Sequence, residues 1–186
     1  MRKINNLKTT AILAMLCAIS IVAGKYLAIR GGDVMRFSLE NMPIIFAGTA
    51  FGPVAGALVG LVADLVGCLM VGYAINPIVT LGAVVIGVIS GLAPIFMDKI
   101  TKKKWLITAV TVAIAHLIGS VVIKTIGLAI YYTMPFEELM LWRALNYLIV
   151  GIIDGVIVHA LINNKGILMH INKYRMKKND DVYRGY

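Results

Sequence analysis

Between Ala11 and Ile162 long apolar runs follow one another, separated only by short polar breaks. A bilayer's hydrocarbon core takes about 20 apolar residues per crossing helix. A backbone inside it must satisfy every N–H and C=O internally, which leaves helices or closed barrels. Runs of this length read as helices. The chain is 60% hydrophobic over 186 residues, and no stretch is polar enough, for long enough, to form a soluble domain. The expectation is an all-α, polytopic bundle occupying residues 1–186 as a single membrane domain. The Ala11–Ala23 stretch flows into further apolar segments, so it reads as a retained helix rather than a cleaved leader.

Punctuation divides the apolar excess into six helices, at about 9–29, 39–50, 54–69, 77–96, 105–132 and 137–162. The breaks are Arg30–Gly31–Gly32–Asp33, Phe51–Gly52–Pro53, Val71–Gly72–Tyr73, a basic loop and Pro135. The basic residues outside the helices fall in three blocks: Arg2, Lys3 and Lys8; Lys99, Lys102, Lys103 and Lys104; and Lys165, Lys173, Arg175, Lys177 and Lys178, extended by Arg184. Such blocks mark the cytoplasmic side. Both termini and the loop around Ile100 are therefore placed in the cytoplasm, in a cell (plasma) membrane. Fusing the second and third segments across Gly52–Pro53 would put Lys99–Lys104 outside, which excludes that threading. Contact with anionic headgroups accounts for the net charge of +9 without nucleic acid.

Polar residues persist inside this apolar frame: Lys25, Arg30, Arg36, Asp64, Asn76, Lys124, Arg143, Asn146 and Asp154. A charge at the bilayer centre costs at least about 2.5–3.5 kcal/mol, so such residues face a bundle interior or a wet cavity. The threading gathers Arg30, Arg36, Asp64, Asn76, Lys124 and Arg143 in the outer half. Several cations around one cavity suit an anionic ligand, because guanidinium pairs bidentately with carboxylates. Phe37, Tyr73, Tyr131, Tyr132 and Trp142 lie at the same level, either as an interfacial belt or as stacking surfaces for a flat ligand.

Plainer readings stand beside these. Arg30 with Asp33 and Arg36 with Glu40 read equally as surface ion pairs. Lys25 reads as a side chain snorkelling to the interface. Asp64 and Asp154 read as structural partners of Lys124 and Arg143. His116 reads as a hydrogen-bonded packing residue, and His159 and His170 as interfacial. Cys17 and Cys68 lie in separate apolar runs, which fits neither a disulfide framework nor a zinc site. There is no Walker A loop, no H-E-x-x-H and no persuasive Ser/His/Asp order. No enzymatic activity, metal or cofactor is expected.

Small residues recur at helical spacing: Gly48, Gly52, Gly56 and Gly60, then Gly87 and Gly91, with Gly82 and Ala83 nearby. Spacing of four puts them on one face, where backbones approach closely. In the first helix Ala11, Ala14 and Ala18 make a related pattern, read either as internal packing or as a face for a partner helix.

Three runs carry a resemblance: Arg36–Phe37–Ser38–Leu39–Glu40–Asn41–Met42–Pro43, then Phe51–Gly52–Pro53, then Gly72–Tyr73–Ala74–Ile75–Asn76–Pro77–Ile78–Val79–Thr80–Leu81–Gly82. With six helices and a basic tail, the chain resembles the S components of energy-coupling factor (ECF) vitamin transporters, specifically the folate type. The resemblance implies a bacterial membrane subunit that captures folate outside. It would deliver the vitamin inward with a transmembrane T component and two cytoplasmic ATPases. Ala14 and Ala18 match the A-x-x-x-A pattern by which such proteins contact the T component. The depth of the polar residues, which a folate ligand fits, gives the expected substrate set Arg30, Arg36, Phe37, Asp64, Tyr73, Asn76, Lys124, Arg143 and Asn146. The connections Arg30–Ser38 and Gly67–Asn76 are expected to act as gates, with Gly31, Gly32, Gly67 and Gly72 supplying backbone freedom. S components for pantothenate or thiamine, a self-sufficient carrier and an intramembrane enzyme are the alternatives.

Overall fold

The structure, a computed structural model, describes residues 7–31, 35–132, 135–167 and 169. Arg2, Lys3, Gly32, Asp33, His170 and the basic residues from Lys173 to Arg184 lie outside the described residues. Helix α1 covers Leu7–Ile21 and continues as a π-helical turn, Val22–Tyr26. Strands β1, Ile29–Gly31, and β2, Met35–Phe37, follow. Then come α2 (Asn41–Phe51), α3 (Pro53–Val71) and α4 (Pro77–Met97). Helix α5 (Lys104–Ala115) runs through a π-helical stretch, His116–Ile123, into α6 (Lys124–Tyr132), so these form one rod. Helix α7 covers Phe136–Asn163.

The first helix stops earlier than its hydropathy predicts. The backbone of Ile29–Gly31 pairs antiparallel with Met35–Phe37, with Ile29 opposite Phe37, Arg30 opposite Arg36 and Gly31 opposite Met35. Cross-strand hydrogen bonds replace helical ones there. The other boundaries follow local chemistry. Gly52 separates α2 from α3 with φ 98, and Pro53 takes the first turn of α3, where its missing N–H costs nothing. Gly72 ends α3 in the left-handed region at φ 70. Pro77 opens α4.

Helix α4 sits at the centre, in contact with α2, α3, α5, α6 and the π stretch. Glycine makes this possible. A Cβ on Gly87 would overlap the backbone of Gly56, one on Gly91 would overlap Pro53, and one on Gly60 would overlap the carbonyl of Ala83. The four-residue glycine spacing therefore serves internal packing. Around this seam Ile44, Ile45, Phe46, Ala47, Val59, Ile86, Val112 and Val158 form the core.

Polarity is inverted relative to a water-soluble fold. Asn41, Thr80, Ser90, Thr111, His116, Ser120, Lys124 and Asp154 are buried, while Leu69, Leu81, Leu117, Leu148 and Ile152 are exposed. That is the distribution lipid demands. Among the described residues, five helices are long and apolar enough to cross a membrane. Helix α2, at 11 residues, is too short, and most of it is buried.

Candidate functional site

The polar groups meet where the two-stranded segment joins the bundle. Ser20, Ile21, Lys25, Glu40, Ile44, Ala63, Asp64, Ala83 and Lys124 line a space of about 250 Å³, its mouth included. These residues come from α1 and its π turn, the entrance to α2, α3, α4 and the start of α6.

Lys124 is 4% exposed, yet its ammonium is well held. It donates to Glu40 Oε1 at 3.1 Å and to Asn41 Oδ1 at 3.2 Å. Desolvating an ammonium is tolerable when a counter-charge and further acceptors compensate. Ser20 Oγ donates to the Glu40 carbonyl at 2.6 Å, which fixes the backbone that presents the carboxylate. Asp64 Oδ2 accepts from Thr80 Oγ1 at 2.6 Å. Lys25 turns inward. Its Nζ lies 3.6 Å from Cys68 Sγ and 5.7 Å from the centroid of the Tyr73 ring.

Glycines make room for these side chains. A Cβ on Gly24 would lie 2.7 Å from Glu40 Oε2, one on Gly67 2.9 Å from Lys25 Cε, and one on Gly82 2.6 Å from Lys124 Cγ. Gly67 lies inside α3, so it clears a path for Lys25 instead of loosening a connection.

The expected substrate set is only partly brought together. Lys124 and Asp64 line the cavity, and Tyr73 borders it through Lys25. Asn76 caps α4: its Oδ1 accepts from the N–H groups of Ile78 and Val79 at 3.1 and 3.2 Å, and its Nδ2 donates to the Gly127 carbonyl at 2.8 Å. Arg143 Nη2 donates to the Ser120 carbonyl at 2.9 Å, and its guanidinium carbon lies 5.2 Å from the Tyr147 ring centroid. Asn146 is buried on α7, and Phe37 is half-buried. The strand register puts Arg30 opposite Arg36, and the side chains of both lie outside the described residues.

Two pairings read from the sequence are replaced. Lys124 takes Glu40 as its partner, although Asp64 lines the same cavity. Asp154 pairs with His116, its Oδ2 lying 3.0 Å from Nε2, because α7 brings it beside the π stretch while Arg143 turns to the Ser120 carbonyl. Glu40, read from the sequence as a surface partner of Arg36, lines the cavity, and Asn41 beside it holds Lys124; neither was in the expected substrate set. The available signal was an acid and an amide adjoining a wholly apolar run. Among the described residues no cluster of His, Cys, Asp and Glu could hold a metal ion.

Comparisons with known proteins agree on architecture. The structure is similar to one titled as FolT bound with folic acid, with TM-score 0.67, 21% identity, and coverage of 84% of this chain and 93% of that one. It is also similar to the S component for biotin from an ECF-type ABC transporter, with TM-score 0.64, 19% identity, and coverage of 92% and 99%. A third similar structure is an S component of a bacterial ECF transporter, with TM-score 0.59, 19% identity, and coverage of 84% and 96%. No curated protein sequence matches. The sequence model of a family described as "ECF-type riboflavin transporter, S component" matches residues 4–166. With nearly the whole chain matched, the protein belongs to this family of S components, membrane subunits of vitamin uptake and not enzymes.

Proposed function

We propose that the protein is the folate-binding S component of a bacterial ECF importer. One observation carries the ligand choice: the cavity interleaves two carboxylates, Glu40 and Asp64, with two ammonium groups, Lys25 and Lys124. A pterin presents an amino group and a ring N–H side by side, a donor pair matched to the two oxygens of a carboxylate. Its ring carbonyl suits an ammonium. The glutamyl carboxylates of folate suit Lys25 and the Arg30 and Arg36 positions near the mouth. Tyr73 offers a ring face beside Lys25. Little of that space is enclosed: the cavity proper is about 10 Å³, room for about one water and far below the roughly 300–1,000 Å³ of small-molecule sites. Uptake of folate then includes a movement of the paired strands or of the Gly72–Asn76 connection away from the bundle.

Riboflavin is the second reading, favoured by the description of the matched family. Its imide edge alternates acceptor, donor and acceptor, which fits a carboxylate poorly, and the vitamin lacks an anionic group for the lysines. Family membership supports, as partners, a T component and two ATPases that would supply coupling and energy. The outward placement of Ala14 and Ala18 on α1 supports a docking face there.

Folic acid, riboflavin and biotin titrated into the detergent-purified protein, followed by tryptophan fluorescence and calorimetry, test the ligand. Saturable nanomolar binding of folic acid is expected, weakened about tenfold or more by Glu40→Gln, since hydrogen bonds to charged groups contribute about 1.5–3 kcal/mol. Binding of riboflavin without folic acid would replace the folate assignment with the second reading.

A further inference from the structure

Beyond the cavity, a line of buried polar groups runs inward without a break. His116 Nε2 lies 3.0 Å from Asp154 Oδ2, and His116 Nδ1 lies 3.4 Å from Ser120 Oγ. Asn41 Nδ2 donates to Ser120 Oγ at 3.2 Å, and Asn41 Oδ1 accepts from Lys124. All five side chains are buried, Asp154 and Asn41 completely. The histidine ring stacks on Tyr147 at 5.1 Å between centroids. Arg143 holds the Ser120 carbonyl with two guanidinium N–H groups. Arg143, Tyr147 and Asp154 thus brace the π stretch from one side of α7.

We propose that Asp154, His116 and Ser120 are positioning residues for the cavity, forming a hydrogen-bond relay that fixes the Asn41 amide and, through it, the Lys124 ammonium. This inference rests on the cavity being the ligand site. The logic is one of donors and acceptors. With Asp154 ionised and His116 neutral, the carboxylate only accepts, and it takes the hydrogen bond of His116 Nε2–H. Nδ1 is then an acceptor and takes the Ser120 hydroxyl proton. Ser120 Oγ, its proton committed, accepts from Asn41 Nδ2. The Asn41 amide is therefore turned with Oδ1 toward Lys124, which can only donate. In these protonation states, an acceptor-only group at one end and a donor-only group at the other give every bond between them the same direction. Reversing any member leaves two donors or two acceptors facing each other in a water-poor interior, where unmatched groups are costly.

The 15N shifts of the His116 imidazole read the tautomer with no ligand present. The Nε2–H form in the native protein, shifting toward a mixture in Asp154→Asn, is expected. An Nδ1–H form or an imidazolium would overturn the relay. Folic acid affinity supplies the second arm. Asp154→Asn and Ser120→Ala are each expected to weaken binding by about tenfold. Neither should add to the loss caused by Lys124→Met, because residues acting through one network are not additive. Losses that add to that of Lys124→Met, or native affinity in both single variants, would overturn the proposal. If the native protein binds no folic acid, the ligand assignment falls alone and the imidazole measurement decides the relay.

Discussion

At the residue scale, the cavity is shaped as much by missing side chains as by present ones. Gly24, Gly67 and Gly82 each stand where a Cβ would press on Glu40, Lys25 or Lys124. A core packed this closely cannot absorb a methyl group without moving something. Gly82→Ala is expected to push the Lys124 stem aside and weaken ligand binding by about tenfold, at a stability cost of about 1–3 kcal/mol. Titration and a thermal melt in the same detergent check both. Gly155, on α7, meets nothing within 4 Å where a Cβ would go. Gly155→Ala is expected to leave affinity unchanged and is the natural control. The depth of charge in the sequence pointed to Lys124 and Asp64. It did not point to Glu40 as the partner of Lys124, because the two are 84 positions apart. Arg36 lay nearby in the chain and offered itself first. Which charges meet is decided by how each helix is rotated about its axis, and that rotation is set by packing.

At the element scale, the helical, membrane-crossing character of the chain was legible because membrane length and hydropathy encode it almost directly. The short strands and the two π-helical segments were not. A π segment has the composition of an α-helix and changes only the hydrogen-bond step, a feature frequent at functional sites. Here it shifts the face that His116, Ser120 and Lys124 present to α2 and α7, and no periodicity argument made for a uniform helix reproduces that. The glycine seam between α3 and α4 was legible, since spacing of four needs only helical geometry. Gly87→Leu would drive a branched side chain into the backbone of Gly56. It is expected to separate α3 from α4 and abolish the cooperative melt, whereas Gly155→Leu, facing open space, is expected to preserve it. Scanning calorimetry on both variants decides between packing and a general intolerance of bulk.

At the scale of the whole molecule, the proposed transport cycle needs two independent surfaces. The cavity holds the ligand, and the exterior of α1 carries Ala11, Ala14, Met15, Ala18 and Ile19, all exposed. Small residues on an outer helix face allow a second helix to approach closely. Replacing Ala14 and Ala18 together with Leu is expected to leave folic acid affinity unchanged while abolishing co-purification with the T component and vitamin uptake in cells. Normal co-purification of that double variant would remove the docking face from α1. The buried helix α2 has a further consequence. At 11 residues it extends about 16 Å, roughly half the 30 Å of a hydrocarbon core, and its neighbours α3 and α4 are both later in the chain. During synthesis α2 therefore leaves the ribosome before the α3 and α4 walls that will enclose it exist. Its final seat opens only once the Gly87 face of α4 has entered the bilayer, so the cavity, whose Glu40 stands at the head of α2, is completed late in biogenesis.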